Sequence, residues 1–275
     1  MRFTFWGTRG SIAVPGPDTL RYGGNTTCLQ VEPEDGSLVI VDAGSGIRPL
    51  GLTLSERDPG EALLLVTHLH WDHIMGFLFF DPLYRPGWRI RVSGWPLALK
   101  GLRHLFNSKG ADGNFPVGWE DLPAKVEKAR EMEPPSFEAH GMEVLTTPLN
   151  HPQGGVGFRF SQNGDALVFI TDNELSGPGP LEMQDFIAFA AGAKVLVHDA
   201  QYLPEEMPAR RGYGHSDYAQ AVELARQAEV ERLILTHHDP ARSDEAIDAM
   251  VARAREAAAG QFMVEAAREG MTLQL

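Results

Sequence analysis

Three histidines and one aspartate stand within six consecutive residues of this 275-residue chain, His68-Leu69-His70-Trp71-Asp72-His73. Imidazole nitrogens and carboxylate oxygens are the ligands that a borderline divalent cation takes, zinc foremost among them. The apolar run at 63–66 comes immediately before and reads as a short buried strand. Side-chain direction alternates at the mouth of a strand, so His68 and His70 can share one side. Asp72 and His73 fall where the chain turns toward the apolar segment 74–80. The four groups are thus dealt out as two pairs aimed at neighbouring points, and two such points can hold two ions. Ligand types at this density outweigh the alternative of polar loop residues beside a strand end.

The pattern recurs along the chain. His151, Asp172, Asp199 and His237 each lie at or just beyond an apolar, strand-like run, at 143–146, 166–170, 195–197 and 233–235. Polar groups at strand termini on one sheet edge can converge on a site that the strands hold rigid. Between these runs the sequence predicts a first strand around Phe3 and Phe5, a hairpin pair at 28–31 and 38–41, and a helix at 47–54. It further predicts a strand at 89–92, a helix at 97–106, and a hairpin at 157–161 and 166–170 turning on Asn163-Gly164. Helices follow at 181–191, at 217–228 with Ser216 as N-cap, and at 244–259 stopped by Gly260, before two short strands at 262–265 and 271–275. Residues 82–135, rich in proline and glycine, read as an irregular insertion, with the loop 107–116 as a lid over the site. One domain over 1–275 is expected, since neither a repeat nor a linker divides the chain.

Composition bounds the function. With 43% hydrophobic and 22% charged residues the chain is an ordinary globular sequence, and its formal net charge of −13 argues against broad affinity for nucleic acid. A single cysteine, Cys28, excludes an internal disulfide and suits a reducing compartment. No run approaches the ~20 apolar residues of a membrane span, and the start lacks a signal-peptide core. The expectation is a cytoplasmic protein without a membrane partner; a homo-oligomer is compatible with the sequence.

The His-x-His-x-Asp-His cluster, followed in order by His151, Asp172 and His237, resembles the ligand set of the metallo-β-lactamase-fold hydrolases. The resemblance runs from the glycine-rich first turn, through Asp42 in Val-Asp-Ala-Gly, to the final histidine. It implies an α/β fold, a four-layer αββα sandwich, and two divalent metal ions. Zinc is favoured by the histidine-rich set, with manganese and iron as alternatives. It further implies that His68, His70 and His151 hold one metal, that Asp72, His73 and His237 hold the other, and that Asp172 bridges them. His238 is the alternative to His237; its position directly after the strand and Thr236 favours His237, leaving His238 as a supporting or pocket residue. Asp42 resembles the family's buried aspartate beneath the histidine loop, which orients rather than binds.

A second resemblance narrows the branch. His198-Asp199-Ala200-Gln201-Tyr202, then Gly214-His215-Ser216, is similar to a stretch of ribonuclease Z-type phosphodiesterases in which an acid supports a histidine. Asp199 would be the acid and His215 the supported group, able to protonate a leaving oxygen. Aspartate replaces the family's glutamate, and Asp217 stands where threonine would be, so the match is partial. Ribonuclease Z enzymes that process precursor tRNA carry a long basic arm between the third histidine and the bridging aspartate. Here residues 152–171 read as a hairpin without a basic cluster. The expected activity is therefore hydrolysis of a small phosphodiester by a bridging hydroxide, with Asp72, His215 and Asp199 at the chemistry, and large nucleic acid disfavoured. Arg9, Asn25 and the 107–116 loop are candidate substrate contacts. The alternatives are an ester, thioester or lactone hydrolase of the same fold, and a metal-binding sensor module without turnover.

Overall fold

The structure, a computed structural model, describes residues 1–106 and 115–275. Among these, the first 128 residues supply six strands, β1 (Arg2–Gly7), β2 (Cys28–Glu32), β3 (Leu38–Val41), β4 (Glu61–Val66), β5 (Arg89–Gly94) and β6 (Lys125–Lys128). The second half supplies β7 (Ser136–Ala139), β8 (Met142–Pro148), β9 (Val156–Gln162), β10 (Asp165–Ile170), β11 (Val195–Asp199), β12 (Arg232–Thr236), β13 (Met263–Ala266) and β14 (Thr272–Gln274). They form two seven-stranded sheets, ordered β14-β1-β2-β3-β4-β5-β6 and β13-β12-β11-β10-β9-β8-β7.

Strand periodicity assigns the layers. In β4, Leu63 and Leu65 join the core between the sheets with Leu167 and Phe169 of β10, while Leu64 and Val66 face outward. That outer face packs against α1 (Ile47–Leu54), the single turn α2 (Trp71–Ile74) and α3 (Ala98–Phe106). On the second sheet, Val168 and Ile170 face outward onto α4 (Met183–Ala190), α6 (Tyr218–Gln227) and α7 (Asp244–Ala258), and a short α5 (Met207–Arg210) lies between α4 and α6 in the chain. The result is the αββα sandwich expected from the sequence. Because both faces of β4, β10 and β12 are covered, these strands read as unbroken apolar runs rather than alternating ones. Truncating Leu65 in the shared core would cost about 2–5 kcal/mol.

The strands β3 to β6 and β10 to β13 are parallel within their sheets. Their carboxyl ends therefore open on common edges, where open α/β sheets place their ligands. Three polar residues leave those ends with left-handed backbone, Asp42 (φ 62°), Asp172 (φ 52°) and His237 (φ 57°). Such conformations are costly for side chains other than glycine, and they turn each group sharply off its strand.

Three expectations are adjusted. Asp217, not Ser216, caps α6: its carboxylate accepts from the N–H groups of Ala219 and Gln220. Ser216 is occupied elsewhere, donating to the Asn173 carbonyl at 2.6 Å. The stretch read as irregular at 82–135 contains β6, which extends the first sheet beside β5. Residues 107–114 of the expected lid lie outside the described residues.

Candidate metal centre

β4 ends at Val66, and Thr67 carries the chain out of the sheet. Asp42, from the end of the neighbouring β3, accepts from the Thr67 N–H and hydroxyl, each at 2.8 Å. The same carboxylate meets His73 Nδ1 at 2.7 Å. An ionised carboxylate only accepts, so Nδ1 carries a proton and Nε2 is the nitrogen turned inward. Gln201 does the same for His237, its Oε1 lying 2.9 Å from Nδ1, and the Gly214 carbonyl does so for His151 at 2.8 Å. Three imidazoles from three elements are thereby fixed in one tautomer with their other nitrogens converging.

They converge on carboxylate oxygens. His73 Nε2 and His237 Nε2 each lie 3.2 Å from Asp172 Oδ1, and 3.3 and 3.1 Å from Asp72 Oδ2. His68 Nε2 and His151 Nε2 each lie 3.7 Å from Asp172 Oδ2, and His70 Nδ1 is 3.0 Å from His151 Nε2. Two groups result, His68-His70-His151-Asp172 and Asp72-His73-Asp172-His237, each with its ligand atoms within 4.8 Å of one another. Asp172 belongs to both. The arrangement fits a pair of cations on this chain's own geometry. Nitrogens facing carboxylate oxygens this closely need positive charge among them: burial disfavours the charged imidazole of His73, yet Asp172, Asp72 and Asp42 raise it well above its ordinary range, and a cation would take the place of that proton. The buried His68 Nε2 and His73 Nε2 have no hydrogen-bond partner. Burial and the neighbouring His73 push His68 well below the ordinary imidazole range, so its imidazole is neutral, the form a cation would need. Burial opposes ionisation of Asp172 too, yet the surrounding His237 and His73 hold its carboxyl well below the usual value.

Beside these groups, His215 Nδ1 lies 2.8 Å from Asp199 Oδ2. Asp199 is fully buried and also accepts from the backbone N–H of Asn173, Gln201 and Ser216. Burial lowers the His215 pKa, but the charge and hydrogen bond of Asp199, followed by Asp172 and Asp72, more than offset it and raise it to about 9. A cleft of about 470 Å³ opens over Ser11, His70, Asp72, Asp172, His215 and His237, with Gln153, Leu69 and Trp71 at its wall.

A family model described as the β-lactamase superfamily domain matches residues 38–238, the span from β3 to the last of these histidines. The chain belongs to the β-lactamase superfamily. Among curated relatives of this superfamily member, ribonuclease Z of Mycobacterium sp. (strain KMS) is 28% identical over 242 residues, 82% of this chain and 81% of that one. The crystal structure of the short form of human tRNase Z shares the fold at a TM-score of 0.66 and 19% identity, covering 100% of this chain and 99% of the other. Zinc-bound PqqB from Methylobacterium extorquens shares it at 0.69 and 18% identity, with both chains covered completely.

The sequence-predicted residues separate clearly. His68, His70, Asp72, His73, His151, Asp172, His215, Asp199 and His237 come together within this superfamily member. His238 does not line the cleft; its Nε2 donates to the Ala267 carbonyl at 2.9 Å, and burial pushes its pKa down to about 3. Asn25 lies off the cleft as well, bonded to Glu269 and Ser45. Arg9 is fully buried and gives its guanidinium to the carbonyls of Gly23, Asp239 and Arg242, which rules out contact with a substrate. Four contributors escaped the sequence. The Ser11 N–H reaches Asp72 Oδ2 at 2.7 Å, Gln201 orients His237, and Gln153 lines the cleft. The buried Glu174 accepts from the N–H groups of Gly212 and Gly214 and so fixes the loop that orients His151 and carries His215. None has a sequence signal beyond being polar near a motif.

Proposed function

We propose that this chain hydrolyses small phosphodiesters with two divalent ions, zinc by preference, held by His68, His70 and His151 on one side, by Asp72, His73 and His237 on the other, and by Asp172 between them. Metal-dependent hydrolysis is supported jointly by the superfamily, the two ligand groups and the ribonuclease Z relatives. Such ions supply Lewis acidity and a water made nucleophilic near neutral pH. The chain's own part is positional. Asp42, Gln201 and the Gly214 carbonyl aim the imidazoles inward. His215, protonated through Asp199, holds a proton at Nε2 at the edge of the cleft for a leaving alkoxide.

The observation that carries the phosphodiester assignment is the His215–Asp199 pair at 2.8 Å beside both ligand groups. An alkoxide leaving from phosphorus needs such a donor more than an activated thioester or lactone does. The test is hydrolysis of bis(p-nitrophenyl) phosphate by protein stripped of metal and reloaded with zinc or manganese. Activity returns with metal; in His215→Ala at unchanged metal content it drops steeply on a nucleoside 2′,3′-cyclic phosphate, whose leaving group is an alkoxide, and far less on bis(p-nitrophenyl) phosphate, whose nitrophenolate needs no proton. A fully metallated protein inert on this diester moves the assignment to esters, thioesters and lactones, and inert on all of them, to a sensor module.

Processing of precursor tRNA is the second reading, favoured by the name of the curated relatives. Against it stand the net charge of −13 and the segment between His151 and Asp172, whose strands β9 and β10 are an integral part of the second sheet. A cytoplasmic location belongs to the same proposal; among the described residues no helix is long and apolar enough to cross a membrane.

A further inference from the structure

Trp71 stands between two groups that converge on the candidate centre, His70 and Asp72, yet its side chain is 74% exposed. The single turn of α2 fixes its backbone, with the His73 N–H bonded to the His70 carbonyl at 3.0 Å. The backbone position from which the indole projects is thus tied to the residues on either side of it. It borders two hollows. One is the cleft over the candidate centre; the other is a groove of about 480 Å³ between α2 and α3, and both include Leu69 and Trp71 in their walls. The groove is floored by Ile74 and Leu97, the latter 52% exposed, and edged by Lys100 and Arg103. Arg103 also pairs with Glu120. An apolar hollow of this size with a few polar groups at its edge suits a small organic ligand, and the basic edge stands out on a chain of net charge −13.

We propose that this groove binds a planar aromatic ester substituent of the phosphodiester, of the nucleobase class, stacked on Trp71 while the phosphorus sits in the adjoining cleft. The inference rests on the phosphodiesterase reading of the cleft and names the substrate class for it. An indole face exposed beside a site for anionic phosphorus is a stacking platform, and stacking tolerates any base because every base has a π-face. Neither His215 nor Asp199 lines the groove. The group placed there is accordingly the substituent that stays on phosphorus, and the leaving group departs past His215.

Two diesters with one leaving group test this, thymidine 5′-(p-nitrophenyl phosphate) and methyl p-nitrophenyl phosphate. The metal-loaded protein is expected to favour the nucleoside ester by roughly tenfold or more in kcat/KM, carried by KM, which is the scale of stacking one base on an aromatic side chain. Trp71→Ala brings that ratio close to one, whatever it does to both rates, and Trp71→Phe keeps most of it. Leu97→Asp, remote from the ligand segment, lowers it as well. Calorimetry of thymidine 5′-monophosphate against methyl phosphate gives a readout without turnover, with the nucleotide binding more tightly to wild type and no more tightly to Trp71→Ala. A ratio unmoved by Trp71→Ala, or equal binding of the two monoesters to wild type, overturns the proposal. If neither diester is turned over, the phosphodiesterase reading fails, and the calorimetric comparison still decides whether the groove takes the base.

Discussion

The two ligand groups are built from the same residue types but held in different ways. Asp72, His73, Asp172 and His237 are all buried, and their imidazoles are oriented by the Asp42 carboxylate and the Gln201 amide. The other group reaches the cleft at the half-buried His70, which packs against His68 and His151, and His151 is oriented by a backbone carbonyl on the loop at Gly214. A charged, buried partner fixes tautomer and raises ligand basicity, so the first group is prepared before any ion arrives. The second depends on a loop tied down by Glu174. On the proposed two-ion reading, tighter retention is expected at the first group and easier exchange at the second, although both reach the cleft, the first through Asp72, Asp172 and His237.

Removing the residue common to both abolishes the distinction. Asp172→Ala is expected to lose both ions and to bring diester hydrolysis to background, read by metal analysis and turnover together. Next in size is a change that leaves both groups intact. Asp199→Asn removes the charge that keeps His215 protonated, and loss of correct acid catalysis costs about 10²–10⁴-fold. The direction with pH follows from the raised pKa. The Asp199 carboxylate holds the proton on His215 to higher pH than an ordinary imidazole keeps it, and its loss as pH rises further gives a basic limb. In Asp199→Asn that limb moves to lower pH; an unmoved limb would assign it to another group.

Substitutions one layer out should then separate the groups. Asp42→Asn weakens the buried ion by about 10–100-fold and the other less, since second-layer partners of ligating histidines act on this scale. Gly214→Ala does the reverse. The glycine has φ +87°, and a Cβ there would lie 2.1 Å from His151 Nδ1, so the loop must shift away from the second group. Equal effects on both ions in competition titrations would dissolve the comparison. The smallest effect is local: Asp217→Ala removes the α6 cap, costs about 1 kcal/mol of stability, and leaves metal content unchanged, read as a lower Tm.

The two groups were also unequally legible in the sequence. His68, His70, Asp72 and His73 announce themselves because four ligand types follow one buried strand within six residues. His151, Asp172 and His237 lie far apart and gain meaning only from recurrence at strand ends, which works because strands buried on both faces leave plain apolar runs. What orients them was hidden. Gln201 and Glu174 act across 36 and 40 residues, and Ser11 and Gly214 act through backbone atoms that carry no residue signature. Arg9 misled because a cation near a glycine-rich turn reads as an anion contact, whereas folding consumes it on buried carbonyls. Ser216 misled as a cap because its hydroxyl is already spent on Asn173.

The most direct test of the account is a zinc titration of stripped protein with diester hydrolysis followed at each addition. Two equivalents of unequal affinity are predicted, the first filling the buried group with little turnover and the second restoring hydrolysis. Saturation at one equivalent, or two bound equivalents with no diester turnover, would contradict it.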